Sequence, residues 1–437
     1  MPLSTNHRVL YFFRPPPAAS FADHLEETMR RIHDRVAGLD VHKKSVTACA
    51  ECFDGKEVRT EKARFATTAR GVRELAGWLE ARSVSRVVME STGVYWKPVF
   101  YGLEDRVEVV ELVNAHHVRN VPGRKTDMAD AAWLADVAAH GMVKASFVPP
   151  QPIRELRELT RYRKQQIRMR VQEIQRLEKL FQDAGIKFTS VASSVWLKSS
   201  QAMVAALIGG ERDPAVLALL AKGSLRNKTE ALTEAMENRW GDHHRVVAER
   251  LVAHIVELDA AIAVLGTEIA RRCEPWAHEI ELLCTVPGVG ARIAEVFIAE
   301  TGGDMSVFAT AHHLASWAGL APGNNETAGK AKPARARFGN STIKATMIEA
   351  SKAGTRADGF LRARKARIAR RRGPNKATVA VARSQMIAIW HMLSNDEPWQ
   401  DLGADYNLKR RDPRHQVNSH VAQLQKLGYQ VQLTPQA

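Results

Sequence analysis

The sequence predicts an α/β domain followed by a largely helical middle region and a second, helical domain. Two observations predict this order: strand-like and helical patterns alternate from residue 36 to 150, whereas helical periodicity dominates from 151 to 395. A Pro-Gly turn between two helical patterns divides the helical part near residue 281. The predicted regions are an irregular extension at 1–35, the α/β domain at 36–150, a helical and coiled-coil linker at 151–280, the second domain at 281–395 and a polar tail at 396–437.

The α/β domain begins with three strand patterns, and its later strands alternate with helices. In chain order the pattern predicts strands at 36–41, 45–51 and 57–65, a helix at 69–81, a strand at 86–90, a helix at 95–103, a strand at 107–113 and a helix at 126–140. The first helix carries its apolar residues on one face, at Val72, Leu75, Ala76 and Leu79. This order is typical of a mixed sheet flanked by helices.

Residues 150–185 predict one long basic helix. Its apolar residues fit a heptad seam, which Arg163 and Arg170 interrupt. The seam positions are Ile153, Leu156, Thr160, Ile167, Ile174, Leu177 and Phe181. A second coiled-coil pattern covers 251–269. Either the two segments pair as a helical hairpin, or they form the seam of a dimer, and both interpretations stay open.

The second domain begins with a turn between two helical patterns, Val286-Pro287-Gly288-Val289-Gly290. The turn resembles a helix-hairpin-helix element, in which Gly288 and Gly290 would let backbone N–H groups approach a phosphate at a helix N-terminus. The alternative is an ordinary helix-capping turn. We interpret the two glycines as nucleic-acid contacts.

The chain carries a large positive charge. Its 63 Lys and Arg residues exceed 48 Asp and Glu by 15, and its pI is about 9.8. Such an excess predicts a polyanionic partner, because each phosphate that is neutralised releases counterions. No apolar run approaches the roughly 20 residues that span a bilayer. We therefore expect a cytoplasmic, nucleic-acid-binding protein without a membrane partner.

The most basic segment spans residues 330–376, where only Glu349 and Asp358 oppose many Lys and Arg residues. Because a solvated helix face normally mixes both signs, this imbalance predicts a nucleic-acid contact surface. The residues that we expect to contact nucleic acid there are Lys330, Lys332, Arg335, Arg337 and Lys344.

Four carboxylates lie at the ends of predicted elements. Asp40 and Glu90 each end a strand. Asp127 and Asp130 lie three residues apart at the start of a helix, which puts them on one helix face. If that helix docks beside the strand ends, all four converge, and they would repel one another without a cation. Carboxylate oxygens suit Mg²⁺ or Mn²⁺, and a pair of such ions about 3.5–4 Å apart serves phosphodiester chemistry.

Three sequence blocks contain these carboxylates, and a fourth lies in the second domain. They read Gly38-Leu39-Asp40-Val41-His42-Lys43, Met89-Glu90-Ser91-Thr92-Gly93-Val94-Tyr95, Lys125-Thr126-Asp127-Met128-Ala129-Asp130-Ala131 and Ala315-Ser316-Trp317-Ala318-Gly319-Leu320-Ala321-Pro322-Gly323-Asn324-Asn325-Glu326. In this order, from about residue 36 to 395, the blocks resemble the DEDD insertion-sequence transposases.

The resemblance implies an α/β RNase H-like (RuvC-like) domain, then a largely α-helical coiled-coil region and a helical DNA-handling domain. It also implies that Asp40, Glu90, Asp127 and Asp130 bind divalent metal. The C-terminal domain of the family supplies a nucleophilic serine that forms a covalent intermediate with DNA. The implied partners are donor and target DNA and, in some members, an element-encoded guide RNA. Strand exchange needs several active sites together, so we expect a dimer or tetramer.

One departure from the family pattern concerns the nucleophile. Where the family usually places a serine before Ala-Gly-Lys, this chain has Thr327. Threonine keeps the hydroxyl, but its methyl group restricts the rotamer and crowds in-line attack. We favour Thr327 as the nucleophile; the alternatives are Ser316, Ser341 or a decayed copy. Arg335 and Arg337 either stabilise charge that develops on the phosphate or contact the DNA backbone.

Three functions fit these residues. The first is a transposase or recombinase that cuts and rejoins DNA. The second is a RuvC-like, structure-specific endonuclease that uses the carboxylates alone, and the third is a decayed, non-catalytic DNA-binding copy. The hydroxyl-bearing second domain favours the first function, because hydrolysis needs no such group.

Overall fold

The structure, a computed structural model, describes residues 31–90, 93–114, 130–323, 338–409 and 413–434, and also the backbone of 326–327 and 330–331. The chain divides into two compact units, residues 1–148 and 149–437. The predicted five regions of the chain stay a prediction. Among the helices of the described residues, none is both long and apolar enough to cross a membrane.

A five-stranded mixed sheet forms the centre of the first unit, as predicted. Its strands are β1 (Arg35–Val41), β2 (Ser45–Phe53), β3 (Val58–Ala66), β4 (Arg86–Glu90) and β5 (Val109–Val113). They lie in the order β3-β2-β1-β4-β5. The first three strands form an antiparallel meander, whereas β1, β4 and β5 run parallel to one another.

Helices cover both faces of this sheet. They are α1 (Ala69–Glu80), α2 (Trp96–Leu103) and α3 (Asp130–Ala139). Successive residues of a strand point to opposite faces, so Leu39 and Met89 pack in the core with α1 and α2, whereas Val36 and Val88 pack with α3. The face of α1 that the sequence predicts to be apolar is buried.

The second unit is mostly helical, which confirms the predicted class. Its helices are α4 (Gln151–Asp183), α5 (Lys198–Ile208), α6 (Pro214–Leu219), α7 (Thr229–Ala235), α8 (Asp242–Cys273), α9 (Ala277–Cys284), α10 (Ala291–Thr301), α11 (Ala311–Trp317), α12 (Ser341–Gly354), α13 (Phe360–Arg372), α14 (Pro374–Asn395), α15 (Tyr406–Lys409) and α16 (Pro413–Lys426). Two short strands, β6 (Glu326–Thr327) and β7 (Lys330–Ala331), pair antiparallel between α11 and α12.

The long helices α4 and α8 pack against each other within the unit. Arg272 near the end of α8 pairs with Glu155 near the start of α4, so the two helices run antiparallel. Antiparallel packing within one chain is what the hairpin interpretation expects; the coiled-coil geometry and the dimer seam stay predictions. Arg163 does not interrupt the buried side of α4: its side chain is buried and its Nη2 lies 2.6 Å from Oε2 of Glu295 on α10.

Residues beyond 396, which the sequence predicts as a polar tail, include packed side chains. Trp399 and Tyr406 pack against the buried cluster of Phe360, Leu361 and Val381. The backbone N–H of Phe360 donates to Oδ1 of Asp401 at 3.0 Å. The polar composition of the segment did not predict this contact. Two aromatic side chains among many polar residues are enough to attach the segment to α13.

Candidate active site

Strands β1 and β4 carry Asp40 and Glu90 to the same edge of the sheet. The two strands are parallel, and Leu39 pairs with Met89, so the carboxylates that follow are neighbours. Val88 faces α3, and Glu90, two residues further along the same strand, therefore points to that face as well. This is the arrangement that two strand-ending carboxylates predict.

Helix α3 crosses β1 at Gly38. A Cβ atom there would lie 2.1 Å from the carbonyl oxygen of Ala131 and 2.5 Å from the amide nitrogen of Ala135. Only glycine permits so close an approach of helix and strand. Asp40 is two residues beyond Gly38 and shares its face, while Asp130 immediately precedes Ala131 as the first residue of α3.

Three of the four predicted carboxylates, Asp40, Glu90 and Asp130, therefore lie on one face of the sheet, at the edge where β1 and β4 end. Asp127 lies outside the described residues. Oδ2 of Asp40 lies 3.0 Å from Nε2 of His42, an exposed side chain that follows the strand. The donor set is made of carboxylate oxygens, which hard divalent cations prefer.

A cleft of about 470 Å³ opens beside Asp40, at the turn between β1 and β2. Its lining residues are Val41, His42, Lys43, Lys44, Ser45, Arg64 and Tyr95. Within the described part of the chain, Lys43, Lys44 and Arg64 form no ion pair, so the cleft is positive. Sequence reasoning missed it: the Lys43-Lys44 pair after a strand end was the available signal, but Arg64 joins it only through the pairing of β2 with β3.

The described residues include one group of three ligand-type side chains whose donor atoms all lie within 4.8 Å: Asp183, His243 and His244. The carboxylates at the sheet edge do not form such a group. Nδ1 of His244 accepts the N–H of Gly241 at 3.0 Å, so the neutral ring carries its proton on Nε2, 3.0 Å from Oδ2 of Asp183. A protonated nitrogen cannot bind a metal, and we interpret this group as a cap of α8.

In the second unit, Thr327 lies in β6, opposite Lys330 in β7. The backbone pairing places both residues in a short hairpin, and the structure does not describe their side chains. Lys332, Arg335 and Arg337 lie outside the described residues. Of the alternative nucleophiles, Ser316 is half-buried in α11 and Ser341 is the exposed first residue of α12.

The ends of the segment that contains this hairpin meet each other. A Cβ atom on Gly339 would lie 2.3 Å from the amide nitrogen of Gly319, and the N–H of Asn340 donates to the carbonyl of Trp317 at 3.0 Å. The side chain of Asn340 then caps α12 by accepting the N–H groups of Thr342 and Ile343.

A buried carboxylate, Glu300 on α10, holds this junction to α4. Glu300 is fully buried and receives two hydrogen bonds from the guanidinium of Arg161, at 2.8 and 2.9 Å. Nε of Arg157 lies 3.4 Å away, and Nδ2 of Asn340 donates to the same carboxylate at 2.6 Å. Nothing in the local sequence predicts Glu300, because its partners come from two distant segments.

The glycine turn lies between α9 and α10, as the pattern predicts. Gly288 has a φ of +85°, and a Cβ atom there would lie 2.2 Å from the carbonyl oxygen of Ala350 on α12. The close packing against α12 therefore explains why this residue is a glycine, and a contact with phosphate is not needed to explain it. Gly290 is the exposed N-cap of α10, and Lys344 is half-buried in the first turn of α12. Their contacts with nucleic acid stay a prediction.

Comparison with known proteins adds two family matches. The model of the DEDD transposases of IS110 elements, described as "Transposase", matches residues 37–186, and the "Transposase IS116/IS110/IS902 family" matches residues 280–366. Together these matches span more than half of the chain. The first contains the carboxylates at the sheet edge, and the second contains the hairpin of Thr327.

Individual relatives agree with these matches. The "Insertion element IS900 uncharacterized 42 kDa protein" of Mycobacterium paratuberculosis is 29% identical over 62% of this chain and 71% of its own. The "Transposase for insertion sequence element IS1111A" of Coxiella burnetii is 23% identical over 84% and 91%, and the "Pilin gene-inverting protein" of Moraxella bovis is 22% identical over 66% and 73%. The Thermus thermophilus RuvC structure aligns with 26% of this chain and 99% of its own at 16% identity, with a TM-score of 0.19.

Proposed function

The chain belongs to the DEDD transposases of the IS110 family, and on this premise we propose that it cuts and rejoins DNA with a divalent-metal carboxylate site and a separate hydroxyl nucleophile. The observation that carries the proposal is the placement of Asp40, Glu90 and Asp130 on one face of the sheet, where β1 and β4 end. A pilin gene-inverting relative supports recombination rather than hydrolysis alone.

Asp40, Glu90, Asp127 and Asp130 are the proposed ligands of Mg²⁺ or Mn²⁺. When bound, the ion supplies positive charge to the phosphodiester that reacts. The chain itself brings that phosphodiester to the sheet edge: Lys43, Lys44 and Arg64 line the cleft beside Asp40 and would hold the DNA backbone.

Thr327 is the proposed nucleophile. Its hydroxyl oxygen would form a bond to phosphorus while one P–O bond of the DNA backbone breaks; the hydroxyl loses its proton and the departing oxygen gains one. Arg335 and Arg337 would stabilise the charge on the phosphate, and Lys330, Lys332, Lys344, Gly288 and Gly290 would contact the DNA backbone. The junction at Gly339 and Asn340 supports this role, because it fixes the base of the segment.

The proposal includes an element-encoded guide RNA, as some members of the family use, and a dimer or tetramer as the working assembly. A net charge of +15 supports binding to both RNA and DNA. Strand exchange supports the oligomer, because each strand that is cut and rejoined needs its own active site.

The test is recovery of excised element circles from cells that express the full chain, scored by PCR across the junction. We expect circles from the wild type, and none from Thr327→Ala or Asp40→Asn. Asp105→Asn, which removes an exposed acid of the same unit, is the matched control and should stay active. Ser316→Ala and Ser341→Ala should also stay active.

Each other outcome has a defined meaning. If Thr327→Ala gives circles, the nucleophile is Ser316 or Ser341, and the alanine variant that loses them identifies it. If only Thr327→Ser gives circles, the natural copy is decayed. Activity of Asp40→Asn would overturn the carboxylate site. Free cut ends without a covalent protein–DNA adduct would instead establish the endonuclease.

A further inference from the structure

Helix α13 is the most basic element of the described chain, and it packs against α14. Seven of its 13 residues are Lys or Arg. Most of these side chains reach solvent, so their charged groups lose little hydration free energy when the chain folds. Arg364 differs, because it lies half-buried between the two helices. Its guanidinium carbon lies 5.9 Å from the ring centre of Phe360, which fixes the direction of the side chain.

Arg383 on α14 is the second half-buried arginine at this place. The Nε atoms of Arg364 and Arg383 are buried, and neither has a hydrogen-bond partner among the described residues. In the same part of the chain, neither arginine pairs with a carboxylate, and neither does the exposed Arg367. Arg362, two residues before Arg364, shows the contrast, since its Nη1 lies 2.6 Å from Oδ1 of Asp358.

The three unpaired charges act on one another. Burial lowers the pKa of Arg364 below its usual value, and the nearby charges of Arg367 and Arg383 lower it further. The folded protein therefore disfavours the positive charge of Arg364 relative to the unfolded chain. A buried polar group without a partner costs folding free energy, and an anion that accepts its hydrogen bonds offsets that cost.

We propose that Arg364, Arg367 and Arg383 form a binding site for one phosphodiester group of the DNA backbone. The planar guanidinium fork matches phosphate oxygens, which accept two parallel hydrogen bonds from it. The exposed basic residues in the last turn of α13, Arg370, Arg371 and Arg372, then contact neighbouring phosphates. The choice of DNA over another polyanion rests on the proposed function. The phosphate-binding chemistry rests on the arginines alone.

The experiment measures binding of a fluorescent DNA duplex to the full chain at several salt concentrations. We expect Arg364→Gln and Arg383→Gln each to weaken binding about tenfold, as loss of one charged hydrogen-bond site does. Each should also reduce the slope of log affinity against log salt by about 0.9, the contribution of one phosphate. Arg362→Gln, the matched control, removes the same charge but one that Asp358 already neutralises, and should change binding less than about twofold.

Thermal unfolding without DNA separates this role from a structural one. Arg364→Gln should raise the melting temperature, because it removes a charge that the fold disfavours, whereas a structural arginine would lower it on removal. A lower melting temperature with an unchanged salt slope overturns the proposal. So does an equal loss of affinity in Arg362→Gln, which would indicate general charge only.

Two further measurements identify the nucleic acid that binds and test the proposed function separately from the arginine site. If the variants lose affinity for an RNA duplex or single strand and keep that for DNA, the site binds RNA and the assignment to DNA is wrong. Excision circles from Asp40→Asn test the proposed function separately: circles from that variant would refute the carboxylate site whatever the arginines do. Loss of circles in Asp40→Asn with unchanged DNA binding in Arg364→Gln would refute only the arginine site.

Discussion

The buried side chain of Glu300 connects several helices of the second unit. It accepts hydrogen bonds from Arg161 and Asn340, so it connects α4, α10 and the N-cap of α12. Removing one member of a buried ion pair leaves the other charge without compensation, which is more costly than losing an exposed pair.

Replacement of that carboxylate gives a prediction at the residue scale. Glu300→Gln keeps the size of the side chain but leaves Arg161 without its counter-charge. We expect the free energy of unfolding of the full chain to fall by about 3 kcal/mol, measured by urea denaturation. Glu268→Gln is the control: Glu268 pairs with Arg271 and Arg272 at the surface, and its loss should lower the free energy of unfolding far less than the loss of Glu300. Equal losses of unfolding free energy in the two variants would show that the buried contacts of Glu300 add nothing beyond an exposed ion pair.

Contacts between elements decide the geometry of the sheet edge. Gly38 lets the backbone of α3 lie against β1, and this contact sets how far Asp130 lies from Asp40. A helix that stands one methyl group further from the strand would move its first residue away from the other carboxylates.

A pair of glycine substitutions tests this at the element scale. Gly38→Ala places a Cβ atom against the carbonyl oxygen of Ala131, and we expect it to destabilise the protein by about 1–3 kcal/mol and to abolish excision circles. Gly77→Ala in the exposed part of α1 meets no atom within 4 Å. It should stabilise the protein by about 0.5–1 kcal/mol, since alanine favours the helix. Normal excision by Gly38→Ala would show that the helix-to-strand distance does not set the site.

The alternation of apolar residues was enough to predict the sheet and the positions of Asp40 and Glu90 at the ends of its strands. Asp40 and Glu90 end strands whose apolar pattern is visible in the sequence, and α3, which is described from Asp130, lies within the helix predicted at 126–140. Arg163 was predicted to break an apolar seam, yet it pairs with Glu295, which lies more than a hundred residues away. The same holds for Arg383, whose neighbours on α13 are known only once the two helices are packed. Partners that meet through tertiary contacts leave no local pattern.

At the scale of the whole molecule, the proposed carboxylate site and the proposed nucleophile belong to different compact units. Asp40 lies in residues 1–148 and Thr327 in residues 149–437. The proposed reaction therefore uses side chains of both units. The charge of +15 over the chain provides the attraction that assembles a complex with DNA.

The working assembly gives the prediction at this scale. Because strand exchange uses several active sites at once, we expect the complex of the chain with its element-end DNA to have the mass of two or four copies plus DNA. Light scattering or mass photometry measures this directly. Asp40→Asn should give the same mass, which separates assembly from catalysis. A single copy on DNA would refute the oligomer.

The close contact between Gly319 and Gly339 joins the ends of a segment that includes Thr327 and four of the basic residues that we expect on DNA, Lys330, Lys332, Arg335 and Arg337. Chain added between two ends that are already fixed together costs only loop entropy, about 0.6 kcal/mol for each doubling of length. Insertions there leave α11 and α12 in place. Under the proposed function, exchange of this one segment during evolution would therefore change the contacts with DNA and leave the packing of α11 and α12 in place.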